Sequence, residues 1–277
     1  MKKIILPTDF SKNAFNAICY AAELFKKEEC VFYLVNTYTP AIYQTEYLLQ
    51  SPGQIGLGDI YQSESLDNLE TLKKELEQKF KNTNHTFIVH SAFNMLVDEI
   101  LEIVEKESAD YVIMGTQGAT GAKEIFLGTN TVHVIKKATC PVIAIPEGFK
   151  YKSIDKVVFP TDYEVEYTIP QLEGLLFLLE KNSAHLDIIH IRSEYPLTNK
   201  QESNRHRLGN IFETVSHQFH EIPNQEIITG IHTFQTKNRA DMLAMIQNKH
   251  TFLERLFIEP IIKKIGFHIE VPFMVIP

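Results

Sequence analysis

The sequence predicts an α/β protein built from two successive copies of one unit, each a five-stranded parallel sheet with helices on both faces. Two observations carry that reading. Apolar runs of strand length alternate with segments of helical spacing, which implies crossover connections and therefore parallel strands. Key segments also recur: residues 4–9 (IILPTD) return as 157–162 (VVFPTD), 109–114 as 240–245, and 141–146 as 272–277. The spacing is 153 residues near the start of each copy and 131 from about Thr86 onward, so the first copy carries roughly 22 extra residues, assigned to the Gly-, Pro-, Tyr- and Gln-rich stretch 38–62. The copies are expected as domains of residues 1–147 and 153–277, with 147–153 (EGFKYKS) as a short polar linker.

In the first copy, residues 3–6 read as a short buried strand. Ser11 is expected to cap a helix whose apolar face is Ala14, Ala17, Ile18, Ala21, Ala22 and Phe25. Residues 31–35 form the second strand, and the insertion follows. Residues 65–80 are helical, with Leu66, Leu69, Leu72, Leu76 and Phe80 on one side. Residues 86–91 make a third strand, 95–106 a third helix and 111–114 a fourth strand; a last helix starts near Thr129, and 142–145 is the fifth strand. The second copy repeats the order with strands at 156–159, 186–191, 215–222, 242–246 and 273–276. The helix between its first two strands carries Leu172, Leu175, Leu176 and Leu179, with Pro170 tolerated in its first turn.

Composition narrows the function. An apolar fraction of 44% and a charged fraction of 22% are those of a soluble globular protein, and a net charge of −8 excludes broad nucleic-acid binding, which needs a basic face. No apolar run approaches the ~18 residues of a membrane span. Lys2 and Lys3 precede only a short apolar run, interrupted by Pro7 and Asp9, so the start reads as a strand rather than a signal peptide. Cys19, Cys30 and Cys140 make no metal-type pair and sit among apolar neighbours, which suits a reducing cytoplasm.

The chemistry concentrates after the fourth strand, where a loop with Gly115, Gly118, Gly121 and Gly128 leads into a helix. Glycines let backbone N–H groups approach an anion, and the helix start favours negative charge, so this layout can receive phosphate. No Gly-Lys-Ser/Thr follows, and no G-x-G-x-x-G is present, which excludes the P-loop and the dinucleotide fingerprint. The pattern is Gly-x2-Gly-x9-Gly-Thr, from Gly115 and Gly118 to Gly128 and Thr129. Ligands of parallel sheets bind beyond the carboxyl ends of strands. Pro7, Thr8 and Asp9, then Asn36 and Thr37, should therefore converge with the glycine loop.

These segments resemble the universal stress protein family: Pro7 to Ser11, residues 34–40 (LVNTYTP), Ala109 and Asp110, the glycine signature, and Cys140, Pro141 and Val142. The whole chain resembles a tandem member with two such domains. The resemblance implies a Rossmann-like fold of the adenine nucleotide alpha-hydrolase type, with the terminal strands 142–145 and 273–276 pairing inside one chain as a pseudo-dimer that covers two apolar edges. It implies ATP as ligand, with AMP or ADP as alternatives and Mg as a companion ion. Asp9 would contact ribose or the metal, with Pro7 and Thr8 beside it, and the backbone at Thr37 would contact adenine. Met114, Gly115 and Gly118 would line ribose and phosphates. Gly128, Thr129, Asn130 and Thr131 would bind phosphate oxygens, with Gly121 in the same loop. Asp9 and Thr129 also suit simple capping, which can coexist with binding.

The second copy departs at each glycine of the signature. At the 131-residue spacing Gly115 becomes Ile246, Gly118 becomes Lys249, Gly128 becomes Glu259 and Thr129 becomes Pro260. A branched side chain, a carboxylate and a missing amide donor each oppose phosphate binding. The expectation is one nucleotide site, in the first copy, with a second copy that keeps the fold; Asp162 alone is not a site.

Other constellations are weaker. His217 and His220 fall on a strand and point to opposite faces, as do His185 and His190, so no metal site is expected; His206 falls in the polar start of a helix. No Gly-x-Ser-x-Gly elbow supports a hydrolase, Lys123 reads as a solvated loop lysine, and Glu99, Glu102, Glu105 and Glu107 read as a wet helix face. No catalytic residue is assigned, and no water-positioning group for fast ATP hydrolysis is recognisable. The leading reading is a cytoplasmic, ATP-binding regulatory protein of the stress response, with intramolecular domain pairing, homodimer formation as an option and an unidentified protein partner. The alternatives are a scaffold of the same fold, with the 38–62 insertion as partner-binding or lid segment, and a slow ATPase or nucleotidyl transferase.

Overall fold

The two copies meet along their last strands and share one sheet. The computed structural model describes residues 1–38, 57–116, 127–191, 195–223, 226–247 and 270–277. The front half runs β1 (Lys2–Pro7), α1 (Lys12–Leu24), β2 (Cys30–Thr37), α2 (Leu57–Phe80), β3 (His85–Ala92), α3 (Leu96–Glu107), β4 (Tyr111–Gly115), α4 (Thr129–Lys137) and β5 (Val142–Ile145). The rear half runs β6 (Lys156–Pro160), α5 (Ile169–Asn182), β7 (His185–Ile191), α6 (Asn199–Ile211), β8 (His217–Ile222), α7 (Ile227–Asn238), β9 (Met242–Ile246) and β10 (Phe273–Ile276).

The strand order β3-β2-β1-β4-β5-β10-β9-β6-β7-β8 is a palindrome of one motif. All pairs within a half are parallel, and the halves join through an antiparallel β5–β10 pair in which Phe273, Met274 and Val275 face Ala144, Ile143 and Val142. The expected strand junction is therefore present. It is dry because both strands are wholly buried. One core lies between the sheet and α1, α2, α5 and α6, the other between the sheet and α3, α4 and α7.

The duplication extends to the polar ties. Asp110 accepts from the backbone N–H of Lys3, and Asp241 accepts from the N–H groups of Asp155 and Lys156, so each half anchors the start of its first strand with the acid before its fourth. Ser11 caps α1 by accepting from Ala14 N–H. The predicted apolar faces of α1 and α5 are buried, except that Leu176 is half-buried.

Five expectations need correction. Glu99, read as part of the wet face of α3, is only 8% exposed and is hydrogen-bonded to His90 Nε2 and Asn94 Nδ2. The helix predicted from 65 starts at Leu57. Of the insertion, 39–56 lies outside the described residues. On that helix Leu66 is 38% exposed while its neighbour Ser65 is only 4% exposed, because the stripe through Leu69, Leu72 and Leu76 continues back to Ser65 at i−4. The linker is not merely polar: Phe149 and Tyr151 pack their rings on Tyr20, and Asn16 Nδ2 donates to Phe149 O. Finally, the constant spacing holds from α3 against α7 but fails one element earlier. Leu34 lies opposite Val89, and its counterpart Ile188 lies opposite Phe219, one residue out of step. A one-residue slip would send each β8 side chain to the wrong face, so the core fixes the register there.

Candidate functional site

In the front half β1 sits between β2 and β4, so the strand order reverses beside it and the carboxyl ends of these strands share one rim. The chain leaves β1 through Pro7 and Thr8, both buried, and turns at Asp9, which is exposed. The turn is held from within. Thr8 N–H donates to Val35 O, Thr8 Oγ1 accepts from Phe10 N–H at 3.0 Å, and Asp9 Oδ1 accepts from Ser11 N–H at 3.0 Å. Phe10 takes a left-handed backbone (φ 60°) and is 39% exposed.

Beside it, β4 ends at Gly115, where a side chain would press on Asn13 and require it to shift. A Cβ there would lie 2.6 Å from Asn13 Nδ2 and 3.0 Å from Asn13 Cγ on α1. Met114 directs its side chain into the core with α3 and α4, which leaves only its backbone for the rim. Across the loop, Gly128 N–H donates to Thr116 O at 2.5 Å, and Thr131 Oγ1 donates to Gly115 O at 2.9 Å, so the start of α4 is tied to the end of β4. Gly128, not Thr129, occupies the N-cap position and makes no side-chain cap bond. Thr129 and Asn130 are exposed on the first turn. The buried Thr116 Oγ1 has no hydrogen-bond partner among the described residues. Gly118 and Gly121 lie outside the described residues.

The remaining candidate, Thr37, is the last residue of β2, opposite Ala92. The structure thus brings Thr8, Asp9, Thr37, Gly115 and Gly128 to Thr131 to one end of one sheet. It gives Thr131 an observed internal role, since its hydroxyl proton is committed to Gly115 O.

Sequence reasoning missed Asn13, whose amide floors Gly115, and a chain of part-buried polar groups under the turn. Asn36 Nδ2 donates to Thr8 O, Ser65 Oγ donates to Asn36 Oδ1, and Ser91 Oγ donates to Ser65 Oγ, each at 2.7 Å. The available signal was a serine four residues before Leu69 on an otherwise leucine stripe.

The equivalent rim of the rear half is filled. Its turn has the same internal bonds, from Tyr163 N–H to Thr161 Oγ1 and from Glu164 N–H to Asp162 Oδ1, and the same left-handed residue, Tyr163 (φ 58°). Yet Tyr163 is 0% exposed, with its ring on His190, and Tyr167 is buried with its OH on Thr161 Oγ1. From α6, Asn204 Nδ2 grips Tyr163 O and Gln201 Nε2 grips Asp162 O. Burial pushes the Asp162 carboxyl above its ordinary range. Ile246, in the place of Gly115, is buried at the end of β9. Lys249, Glu259 and Pro260 lie outside the described residues.

Two histidines pair with acids across strands: His220 Nε2 with Asp187 at 2.7 Å and His190 Nδ1 with Glu221 at 2.9 Å. Among the described residues no group of three or more His, Cys, Asp or Glu is placed to hold a metal ion, and no helix is long and apolar enough to cross a membrane.

Comparison with known proteins gives one consistent family. The profile of the universal stress protein family matches residues 1–146. Two universal stress proteins of Methanocaldococcus jannaschii are similar to this chain. One is 31% identical over 154 residues, 54% of this chain and 84% of that one. The other is 33% identical over 160 residues, 52% and 94% respectively. The crystal structure of a universal stress protein from Archaeoglobus fulgidus superposes with a TM-score of 0.66 at 22% identity, covering 99% of this chain and 95% of that one. That likeness supports the shared architecture of the whole chain.

Proposed function

Since the chain belongs to the universal stress protein family, we propose that it is a regulatory protein of the stress response that binds one adenine nucleotide, ATP in the first instance, at the front rim. In this reading residues 1–147 form the binding domain, and 153–277 form a partner domain that keeps the fold without a site. The observation that carries it is the contrast at one position. Gly115 leaves bare backbone against Asn13 where the rear half buries Ile246.

The fit to a nucleotide is chemical. Asp9 offers an exposed carboxylate for ribose hydroxyls. The first turn of α4 presents backbone N–H groups and the positive end of the helix dipole to a phosphate tail. Because Gly128 caps without a side chain, no carboxylate or hydroxyl of the cap residue competes for those donors. Gly118 and Gly121 would continue the backbone cradle, and the backbone at Thr37 would meet the adenine. A Mg2+ ion carried in with ATP would take most of its ligands from phosphate and water, with Asp9 as the acid at hand. Cys30 and Cys140 are buried free thiols, in keeping with a reducing compartment.

Titrating the full chain calorimetrically with ATP, ADP and AMP tests this. One site per chain is expected, with Asp9→Ala weakening binding about tenfold or more, the usual scale for losing a charged hydrogen-bonding group. Gly118→Val should abolish the heat. A parent protein that gives no heat with any of the three nucleotides would end the proposal.

A further inference from the structure

We infer that Asn36, Ser65 and Ser91 are positioning residues for the Asp9 turn, a hydrogen-bond relay through which helix α2 sets the geometry of the front rim. The role in binding rests on the nucleotide reading above; the mechanical link does not.

The relay runs in one direction, from Ser91 Oγ–H to Ser65, from Ser65 Oγ–H to Asn36 Oδ1, and from Asn36 Nδ2–H to Thr8 O. Its end point is the Thr8–Asp9 peptide. That unit is planar, so holding the Thr8 carbonyl toward Asn36 turns the Asp9 N–H to the opposite side and sets the direction in which the next residues leave. The following Phe10 has the left-handed backbone that a non-glycine residue holds only when its surroundings impose it. Two local bonds, to Thr8 Oγ1 and Asp9 Oδ1, finish the turn.

Ser65 is the informative member. It stands on the buried stripe of α2, 4% exposed, at the position where spacing from Leu69 would ordinarily place an aliphatic side chain. A buried hydroxyl is costly unless bonded, and Ser65 is bonded at both ends, donating to one strand and accepting from another. Packing alone would favour leucine here. The hydroxyl instead ties α2 to the ends of β2 and β3, and through Asn36 to β1.

The rear half shows the same place without the relay. The strand pair Asn36–Ser91 corresponds in register to His190–Glu221, which bond directly at 2.9 Å. There α6 grips the turn itself, through Gln201 and Asn204, and the rim is filled. In the front half the helix holds the turn from beneath, through one intervening side chain, and Asp9 stays exposed.

The test uses the full chain with Ser65→Ala, Ser65→Thr, Ser91→Ala and Asn36→Asp, and two readouts. Without any ligand, Ser65→Ala should speed amide exchange at residues 9–11 about fivefold or more. With ATP, Ser65→Ala should raise Kd about five- to tenfold, the scale of one lost buried hydrogen bond. Ser91→Ala should act in the same direction by less. Asn36→Asp, which sets an oxygen against the Thr8 carbonyl, should act by more. Ser65→Thr, which keeps the hydroxyl, should restore both readouts to within about twofold of the parent. If Ser65→Ala and Ser91→Ala leave exchange at 9–11 unchanged, or Ser65→Thr fails to rescue a folded protein, the relay is overturned whatever ATP does. If exchange responds while the parent binds no ATP, the mechanical link stands and only the nucleotide reading falls.

Discussion

Phe10 and Tyr163 occupy the same left-handed place in two copies of one turn, and their rings take opposite courses. Phe10 lies at the surface of the front rim, whereas Tyr163 is sealed into the rear core against His190, with Tyr167 beside it. The backbone bonds of the two turns match almost atom for atom. A turn of this shape is therefore no evidence of a site; what distinguishes the halves is what fills the space beyond it. In the rear half two tyrosines and the amides of α6 occupy that space. In the front half the described residues at that place are a glycine, an exposed acid and the start of a helix.

The largest test of that contrast is truncation of both rings. Tyr163→Ala should destabilise the protein by about 3–5 kcal/mol, as loss of a fully buried aromatic does, whereas Phe10→Ala should stay within about 0.5 kcal/mol. Urea unfolding of the two variants measures both, and equal costs would erase the distinction. Next comes copying the rear residue forward. Gly115→Ile drives a branched side chain into Asn13 and should cost about 1–3 kcal/mol, together with complete loss of nucleotide heat. Retained ATP binding in that variant would show that the glycine is not what the nucleotide reading requires.

The smallest test is electrostatic and carries a sign. Burial raises the folded-state pKa of Asp162, so its contribution to stability is fully present below its unfolded pKa and is lost as pH rises through the folded value. Asp162→Asn should therefore gain stability relative to the parent as pH rises from 3 to 7, with the two converging at the acid end. Thermal unfolding across that range decides it.

Much of this fold was legible in the sequence because it rests on local period and on duplication. Strand-length apolar runs, the cap at Ser11 and the repeat of Asp110 as Asp241 all have causes confined to a few neighbouring residues, and the structure reproduces them. The front rim was legible in outline for the same reason, since Thr37 and Gly115 end strands, Gly128 caps a helix and Asp9 lies in the turn just after β1. Leu66 shows the limit. Its spacing to Leu69 fits a helical stripe as well as that of Ser65, and only contact with the sheet selects the face that is buried. The register of β8 shows the same limit, because a slip of one residue is invisible until the core chooses a face.

The sequence by itself determined the repeated unit, the identity of its strands and the loss of the glycine signature from the second copy, because each of these is written in the order and spacing of residues along the chain. Tertiary structure decided that Tyr163 and Tyr167 plug one rim, that Asn13 floors the other, and that Ser65 reaches Thr8 through Asn36. Most of those contacts join residues far apart along the chain, and a hydrogen bond or a filled cavity depends on the distance in space between groups, which sequence separation does not encode.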